Sequence, residues 1–184
     1  MAKIINFFGA PGVGKSTVAA EIFSQLKKRG FDVALVTEFA NFKINEKSFK
    51  AVQNQYYVTS KQLYNQEVFE DKYSIIVTDS PILLSFVYSN NSIADKKFNE
   101  FILEKFKEKE NFNFLLNHDI VTLDKFSMNG RRHKKSKLEQ IHNKIVEMLK
   151  INKIEYKNVF KDYIQQKYYV EQDLLINYIF KGLV

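Results

Sequence analysis

Near its N-terminus the chain reads Gly9-Ala10-Pro11-Gly12-Val13-Gly14-Lys15-Ser16-Thr17. This run fits the pattern G-x-x-x-x-G-K-[ST] at every required position. A loop that wraps phosphate groups must turn its backbone N–H groups inward, and glycines permit the dihedral angles and the close approach that this demands. The chain has only 6 glycines, and half of them lie in this short run. The run therefore predicts a phosphate-binding loop.

The neighbouring sequence supports this prediction. A short apolar run, 4–8, precedes the loop and predicts a buried strand, and residues 16–29 follow it with the spacing of an amphipathic helix. The N-terminus of that helix favours an anion. Lys15 would reach the β- and γ-phosphates of ATP, and the Ser16 hydroxyl would ligate Mg²⁺. The alternative is a glycine-rich turn between strand and helix that binds no ligand.

Beyond the loop, strand and helix patterns alternate to the end of the chain, which favours an α/β fold with a mainly parallel sheet. We predict a single domain, 1–184, and an irregular basic segment at about 118–137 that we term the lid. The predicted strands are 4–8, 31–37, 73–78, 112–116 and 155–160. The predicted helices are 16–29, 46–69, 82–88, 95–109, 137–150 and 162–180.

Composition excludes several classes of site. The chain has no cysteine, so disulfides, thiolate metal sites and cysteine nucleophiles are absent. The three histidines are scattered without the spacing of metal ligands. No stretch is long and apolar enough to predict a membrane span or a cleaved leader, so we expect a cytoplasmic protein.

A net charge of +7 leaves two interpretations open. Most of the lysines lie in segments with helical spacing, where acidic residues alternate with them, so solvated helix faces are one explanation. A phosphate-rich substrate or a nucleic-acid partner is the other. The sequence also leaves oligomer formation open.

Two acidic residues follow predicted strands, and ligands of open α/β sheets lie beyond the carboxyl ends of the strands. Asp79 follows the third strand, where a carboxylate would hold Mg²⁺ directly or through water. Its alternative role is to cap the helix that begins near Pro81. Glu38 follows the second strand and is the candidate general base, which would accept the proton of an attacking hydroxyl. Its alternative is a solvated loop carboxylate.

The predicted lid carries Asn129-Gly130-Arg131-Arg132-His133-Lys134-Lys135. Only 3 arginines occur in the chain, and Arg131 and Arg132 are two of them. The planar guanidinium matches phosphoryl oxygens, so a loop that closes with these arginines would stabilise the transferring phosphate and exclude water. A basic surface loop that contacts nucleic acid is the alternative.

Weaker signals lie in the predicted helix 46–69, where side chains could read an acceptor base by stacking and amide hydrogen bonds. Core aromatic residues alternating with solvated amides would give the same pattern. The residues concerned are Gln53, Gln55, Tyr56, Tyr57 and Tyr64.

The chain resembles the P-loop kinases of the nucleoside and nucleotide kinase group. The residues that carry this resemblance are the loop, Glu38, Asp79 and the arginine segment. The chain looks most like the compact ATPase/kinase domains related to nicotinamide riboside kinases, many of them from bacteria and bacteriophages. The resemblance implies a three-layer fold with a five-stranded parallel sheet in the order 2-3-1-4-5, and a lid before the penultimate helix. It implies that residues 9–17 hold the nucleotide phosphates, that Glu38 is the base and that Arg131 is the lid arginine.

The function expected from these features is a kinase that moves the γ-phosphate of MgATP to a nucleoside- or nucleotide-like acceptor. In one variant the acceptor is a nucleotide within DNA or RNA. The second hypothesis is an ATP-dependent switch or binding protein that makes no phosphorylated product. An acid after the second strand and an arginine lid favour the kinase, and Ser80 stands where an AAA-type machine would carry a catalytic glutamate.

Overall fold

A computed structural model describes residues 2–89, 92–117, 135–162, 167–171 and 173–183. The strands are β1 (Lys3–Phe8), β2 (Val33–Val36), β3 (Ile75–Thr78), β4 (Glu110–Leu116), β5 (Lys157–Asp162), β6 (Lys167–Val170) and β7 (Asp173–Leu174). The α-helices are α1 (Lys15–Lys28), α2 (Phe39–Asn45), α3 (Phe49–Gln53), α4 (Gln55–Glu70), α5 (Ser85–Tyr88), α6 (Ile93–Lys107), α7 (Lys135–Ile151) and α8 (Leu175–Leu183). A 3₁₀ turn, Ile82–Leu84, precedes α5. None of the described helices is long and apolar enough to cross a membrane.

The strands of the described chain form one sheet in the order β2-β3-β1-β4-β5-β6-β7. The strands from β2 to β5 in this order are parallel. Strands β6 and β7 extend the sheet in the antiparallel sense. Thr78 lies opposite Asn6 on one side and Val36 on the other, so β1, β2 and β3 end at the same edge. The segments that follow these three strands are therefore brought together.

Helices cover both faces of the sheet, which gives the α/β arrangement three layers. Side chains alternate across the pleat of β1, so Ile5 and Phe7 face one layer and Phe8 the other. On the first face α1 and α8 complete a core through Val18, Ala19, Ile22, Leu26, Leu175, Ile176 and Ile179. On the second face α6 and α7 pack through Ile102, Phe106, Ile141, Ile145, Met148 and Leu149.

The C-terminal region differs from the prediction. The expected sheet of five parallel strands is a mixed sheet of seven in the described chain, and the predicted helix 162–180 is replaced by β6, β7 and the shorter α8. Tyr168 and Val170 are buried while Tyr169 between them is partly exposed. This period of two is that of a strand, and aromatic and β-branched residues suit it. The helical interpretation of this segment was wrong.

The long helix predicted over 46–69 is also wrong in detail, because α3 and α4 divide this range and α2, which lies before it, was not predicted. Lys47, between α2 and α3, has φ 59°, a left-handed conformation that does not continue a helix. Asn54 ends α3 and caps α4, since its side chain accepts a hydrogen bond from the Tyr57 N–H at 3.1 Å. Of the predicted lid, 118–134 lies outside the described residues, and α7 begins at Lys135.

Candidate functional site

The loop between β1 and α1 has the backbone that its glycines predict. Gly9, Gly12 and Gly14 have φ angles of 148°, 89° and 97°, which residues other than glycine rarely adopt. At Gly9 space is also lacking, because a Cβ would lie 2.7 Å from Val13 Cγ1 and 3.1 Å from the Leu116 carbonyl oxygen. The loop is therefore packed closely against the end of β4.

The N-terminus of α1 is arranged as an anion site requires. The first N–H groups of a helix have no acceptor within it. Asn54 and Ser92 supply side-chain acceptors for α4 and α6, but Gly14 supplies none for α1. No acidic residue lies in the first turn of α1 either. The N–H groups and the positive end of the helix dipole at this end therefore suit an anion.

Lys15 lies across the loop. Its Nζ donates to the carbonyl oxygen of Gly9 at 2.9 Å and to that of Ala10 at 3.2 Å. These bonds hold the ammonium group beside the backbone that would surround the phosphates. Ser16 and Thr17, which follow Lys15 in the first turn of α1, are exposed. An incoming phosphate would meet a positive charge already placed in the loop.

Tyr168 reaches this loop from β6, and sequence reasoning missed it. The side chain is buried in the core that α1 shares with the sheet. Its hydroxyl lies 3.4 Å from where a Cβ on Gly14 would stand. The neighbouring strand β5 places Lys161 Nζ 5.5 Å from the centre of the Tyr168 ring. Recognising the alternation in Lys167–Val170 as a strand would have identified the residue.

Asp79 lies one residue past β3 and is only 3% exposed. Its Oδ1 is buried without a hydrogen-bond partner among the described residues. Buried carboxylate oxygens ordinarily have partners, and one that lacks them suits a cation or its water. The alternative role as a helix cap is not observed, since the turn Ile82–Leu84 has no side-chain cap. Asp79 and the Ser16 hydroxyl are thus oxygen ligands of the kind that Mg²⁺ takes.

Histidine and carboxylate groups give no further metal site in the part of the chain that is described, where no cluster of three such ligands occurs. Asp79 is the buried carboxylate at this edge, and nucleotide phosphates usually complete the coordination of Mg²⁺ in such sites.

Glu38 stands at the N-cap position of α2, immediately after the end of β2, and its side chain makes no capping bond. The register of Val36 opposite Thr78 places Glu38 and Asp79 at the same edge of the sheet. The pKa of the Tyr88 hydroxyl, in α5, is raised above its ordinary value. Desolvation is the larger cause, and the negative charge of the nearby Glu38 is the second. The Glu38 side chain is exposed, as access to a substrate requires.

Gln62 of α4 is a second residue that the sequence did not single out. It is 5% exposed and bonds the backbone on either side of Glu38: its Oε1 accepts from the Phe39 N–H at 3.0 Å, and its Nε2 donates to the Thr37 carbonyl at 3.3 Å. The sequence signal that could have found it is the helical spacing of three polar residues, Thr59, Gln62 and Gln66. The structure buries all three.

The weaker candidates in this region make contacts within the protein. The Tyr56 hydroxyl donates to Asp95 Oδ1 at 2.6 Å, a bond that raises the pKa of Tyr56. The Tyr57 ring packs at 5.5 Å from that of Phe39. Gln53 and Tyr64 are exposed, and Gln55 donates to the Val52 carbonyl. Arg131 and Arg132 lie outside the described residues.

Comparison with known proteins agrees with this geometry. The family model described as AAA domain matches residues 4–167. The probable thymidylate kinase of Sulfurisphaera tokodaii is 27% identical over 158 residues, which cover 80% of this chain and 83% of that protein. The solved thymidylate kinase from Ehrlichia chaffeensis is similar with a TM-score of 0.60 at 13% identity, over 100% of both chains. Deoxyadenosine kinase from M. mycoides is similar with a TM-score of 0.56 at 18% identity, over 98% of both chains. The shared fold is the α/β fold of P-loop kinases.

Proposed function

The chain belongs to the AAA domain family, and from this premise we propose that it is an ATP-dependent kinase that transfers the γ-phosphate of MgATP to a nucleoside- or nucleotide-like acceptor. The observation that carries the proposal is the joint position of an anion-binding loop, residues 9–17, and two carboxylates, Glu38 and Asp79, at one edge of the sheet. The activities named for the similar proteins, thymidylate kinase and deoxyadenosine kinase, support the same class of reaction.

The proposed roles begin with the nucleotide. The backbone of residues 9–17 binds the phosphates of ATP, and Lys15 neutralises charge on the β- and γ-phosphates. Ser16 and Asp79 would hold Mg²⁺, which when bound would neutralise charge on the phosphate oxygens. Asp79 suits this role because one of its buried oxygens has no partner in the described chain. Phosphoryl transfer then depends on positioning and on charge stabilisation more than on covalent steps.

On the acceptor side, Glu38 accepts the proton of the attacking hydroxyl while the γ-phosphorus is attacked in line. Arg131 and Arg132 of the lid stabilise the charge of the transferring group. We assign these roles within a single domain, 1–184. For a hydroxyl acceptor the products are ADP and a phosphate ester, and the proton leaves on Glu38.

The alternative is an ATP-driven switch that releases inorganic phosphate and modifies no acceptor. Against it, Ser80 follows Asp79 at the position where an AAA-type machine would carry a catalytic glutamate. A nucleotide within DNA or RNA is the variant acceptor that the net charge of +7 leaves open.

The test is a transfer assay with γ-labelled ATP and Mg²⁺. The acceptors are deoxynucleosides, nucleoside monophosphates, nicotinamide riboside and oligonucleotides, with Lys15→Ala as the control. We expect label on one class of acceptor and none with Lys15→Ala. Label that appears only as free phosphate supports the switch, and a Lys15→Ala variant with full ATP affinity and full rate contradicts the proposed site.

A further inference from the structure

Gln62 makes an unusual pair of contacts for a residue in the middle of a helix. Its amide is buried in the interior face of α4 and spans the two peptide groups that flank Glu38. The acceptor end of the amide takes the N–H that follows Glu38, and the donor end gives to the carbonyl that precedes it. One side chain thus holds both peptide planes of a single residue.

These two backbone groups need partners because of where they lie. Strand β2 ends at Val36, so Thr37 is already beyond its ladder. Helix α2 begins at Phe39, whose N–H is among the first of the helix and has no acceptor within it. Glu38 itself does not cap α2 with its side chain. Gln62 supplies the partner of each of these two backbone groups.

From this arrangement we infer that Gln62 is a positioning residue for phosphoryl transfer, which fixes the backbone on both sides of Glu38 and so aims its carboxylate at the acceptor. The inference rests on the proposed role of Glu38 as the base. A general base acts only within hydrogen-bond reach of its proton, so a shift of its backbone costs rate. Gln62 lies in α4, whereas the phosphate loop leads from β1 into α1, so ATP binding should not depend on it.

A matched control lies one turn further along the same helix. Gln66 is 4% exposed, similar to Gln62, but its Nε2 donates to Glu70 Oε1 at 2.9 Å and not to the backbone around Glu38. Methionine has nearly the length and shape of glutamine without its polar groups, and it suits a helix. Gln62→Met and Gln66→Met therefore remove comparable buried amides, and only the first removes the support of Glu38.

The experiment measures kcat and the KM for ATP with the first acceptor that the wild-type chain phosphorylates in the transfer assay. We expect Gln62→Met to lower kcat by about tenfold to a hundredfold, the size of a small misplacement of a reacting group. The KM for ATP should stay within about twofold of wild type. Gln66→Met should keep kcat. In a Glu38→Gln background, Gln62→Met should lower kcat no further, since the group that it positions is already lost.

Amide exchange followed by NMR provides a readout that needs no acceptor. The Phe39 N–H should exchange faster in Gln62→Met than in wild type and should stay protected in Gln66→Met. If Gln62→Met fails to fold, Gln62→Asn replaces it, because its side chain is shorter by one methylene and its amide does not reach both peptide groups.

Several results would overturn the inference. One is a kcat loss in Gln62→Met no larger than in Gln66→Met; another is an equal loss with and without Glu38, which indicates a general structural effect. Unchanged Phe39 exchange removes its geometric basis. Failure of the proposed function itself looks different: Glu38→Gln then keeps the full rate, or no acceptor is phosphorylated at all, and the inference falls with it.

Discussion

At Gly9 two separate requirements exclude any other residue. The φ angle of 148° lies in a region that residues with a Cβ rarely adopt. The space for a Cβ is also taken, by Val13 and the Leu116 carbonyl. Gly30, at the end of α1, meets only the first requirement, since its φ is 84° and a Cβ there would have no neighbour within 4 Å. Substitution of Gly30 therefore tests backbone strain alone, whereas substitution of Gly9 tests backbone strain together with close packing in the loop.

We therefore expect Gly9→Ala to lose MgATP binding, because the loop must move away from β4 to admit the methyl group. Gly30→Ala should destabilise the fold by about 1 kcal/mol, the cost of a left-handed backbone for alanine, and should keep MgATP binding. Isothermal titration with a non-hydrolysable ATP analogue and urea denaturation measure the two effects. Wild-type affinity in Gly9→Ala would contradict the role of the packed loop.

Glu38 allows a second test of a single residue. Glu38→Gln keeps the size of the side chain but removes its ability to accept a proton at neutral pH. We expect kcat to fall by about 10²–10⁴-fold, as for the loss of a general base, with the affinity for ATP nearly unchanged. Steady-state kinetics together with ATP titration check both parts. A full rate in this variant would reassign the base to another group.

Among the elements, α7 carries a titratable group beside its apolar contact with the sheet. Its buried face presents Ile141, Ile145, Met148 and Leu149 to the sheet. His142, adjacent to this face, has a buried Nδ1 with no hydrogen-bond partner in the described chain. Burial lowers the pKa of His142 below its ordinary value of 6.5. Burial thus favours the neutral form of the imidazole in the folded protein.

This shift predicts how stability depends on pH. Because the folded pKa is lower than the unfolded one, the unfolded chain binds the proton more readily, and stability falls as the pH drops below about 6.5. Above that value the contribution is fully present. We expect His142→Leu to lose less free energy of unfolding than wild type between about pH 7.5 and 5.5. Parallel losses in the two proteins, measured by urea denaturation at each pH, would show that His142 is not responsible.

At the scale of the whole molecule, the antiparallel extension connects the C-terminal part of the chain to the phosphate loop. Tyr168 of β6 belongs to the same core as α1 and approaches Gly14. Helix α8 returns to this core through Leu175, Ile176 and Ile179. Helix α1, which begins at the loop, therefore shares one core with β6 and α8, and we expect this core to support the loop.

Thermal unfolding with and without MgATP tests whether Tyr168 stabilises this core and whether Lys15 is needed for the effect of the ligand. At a ligand concentration about 100 times Kd, binding should stabilise the wild type and Tyr168→Phe by about 2.7 kcal/mol. Tyr168→Ala removes a buried ring and should unfold about 6–12 °C lower, from a loss of about 3 kcal/mol. Lys15→Ala should keep the wild-type melting temperature without ligand and show no shift with it. A Tyr168→Ala protein as stable as wild type would disprove the packing role.

Several features could be predicted because their signals are local. The loop residues specify their own backbone through glycine, and the strand before them is a continuous apolar run, so β1 and α1 are confirmed within one residue of their predicted ends. The carboxylates Glu38 and Asp79 were proposed from their place after predicted strands, and the structure has both shortly after β2 and β3. Helix α2 was not predicted and α3 and α4 were not separated, because neither a lysine at position 47 nor an asparagine at position 54 by itself excludes a continuous helix.

The amino-acid sequence by itself determined the phosphate loop, the alternation of strands and helices, and the acids at the strand ends, since each depends on neighbouring residues alone. Only the tertiary structure decided that residues 167–170 form a strand, that Tyr168 meets the loop, and that Gln62 bonds the backbone around Glu38. These features join residues far apart in the chain. Their energy comes from contacts that exist only once the sheet has brought the partners together, so no local pattern encodes them.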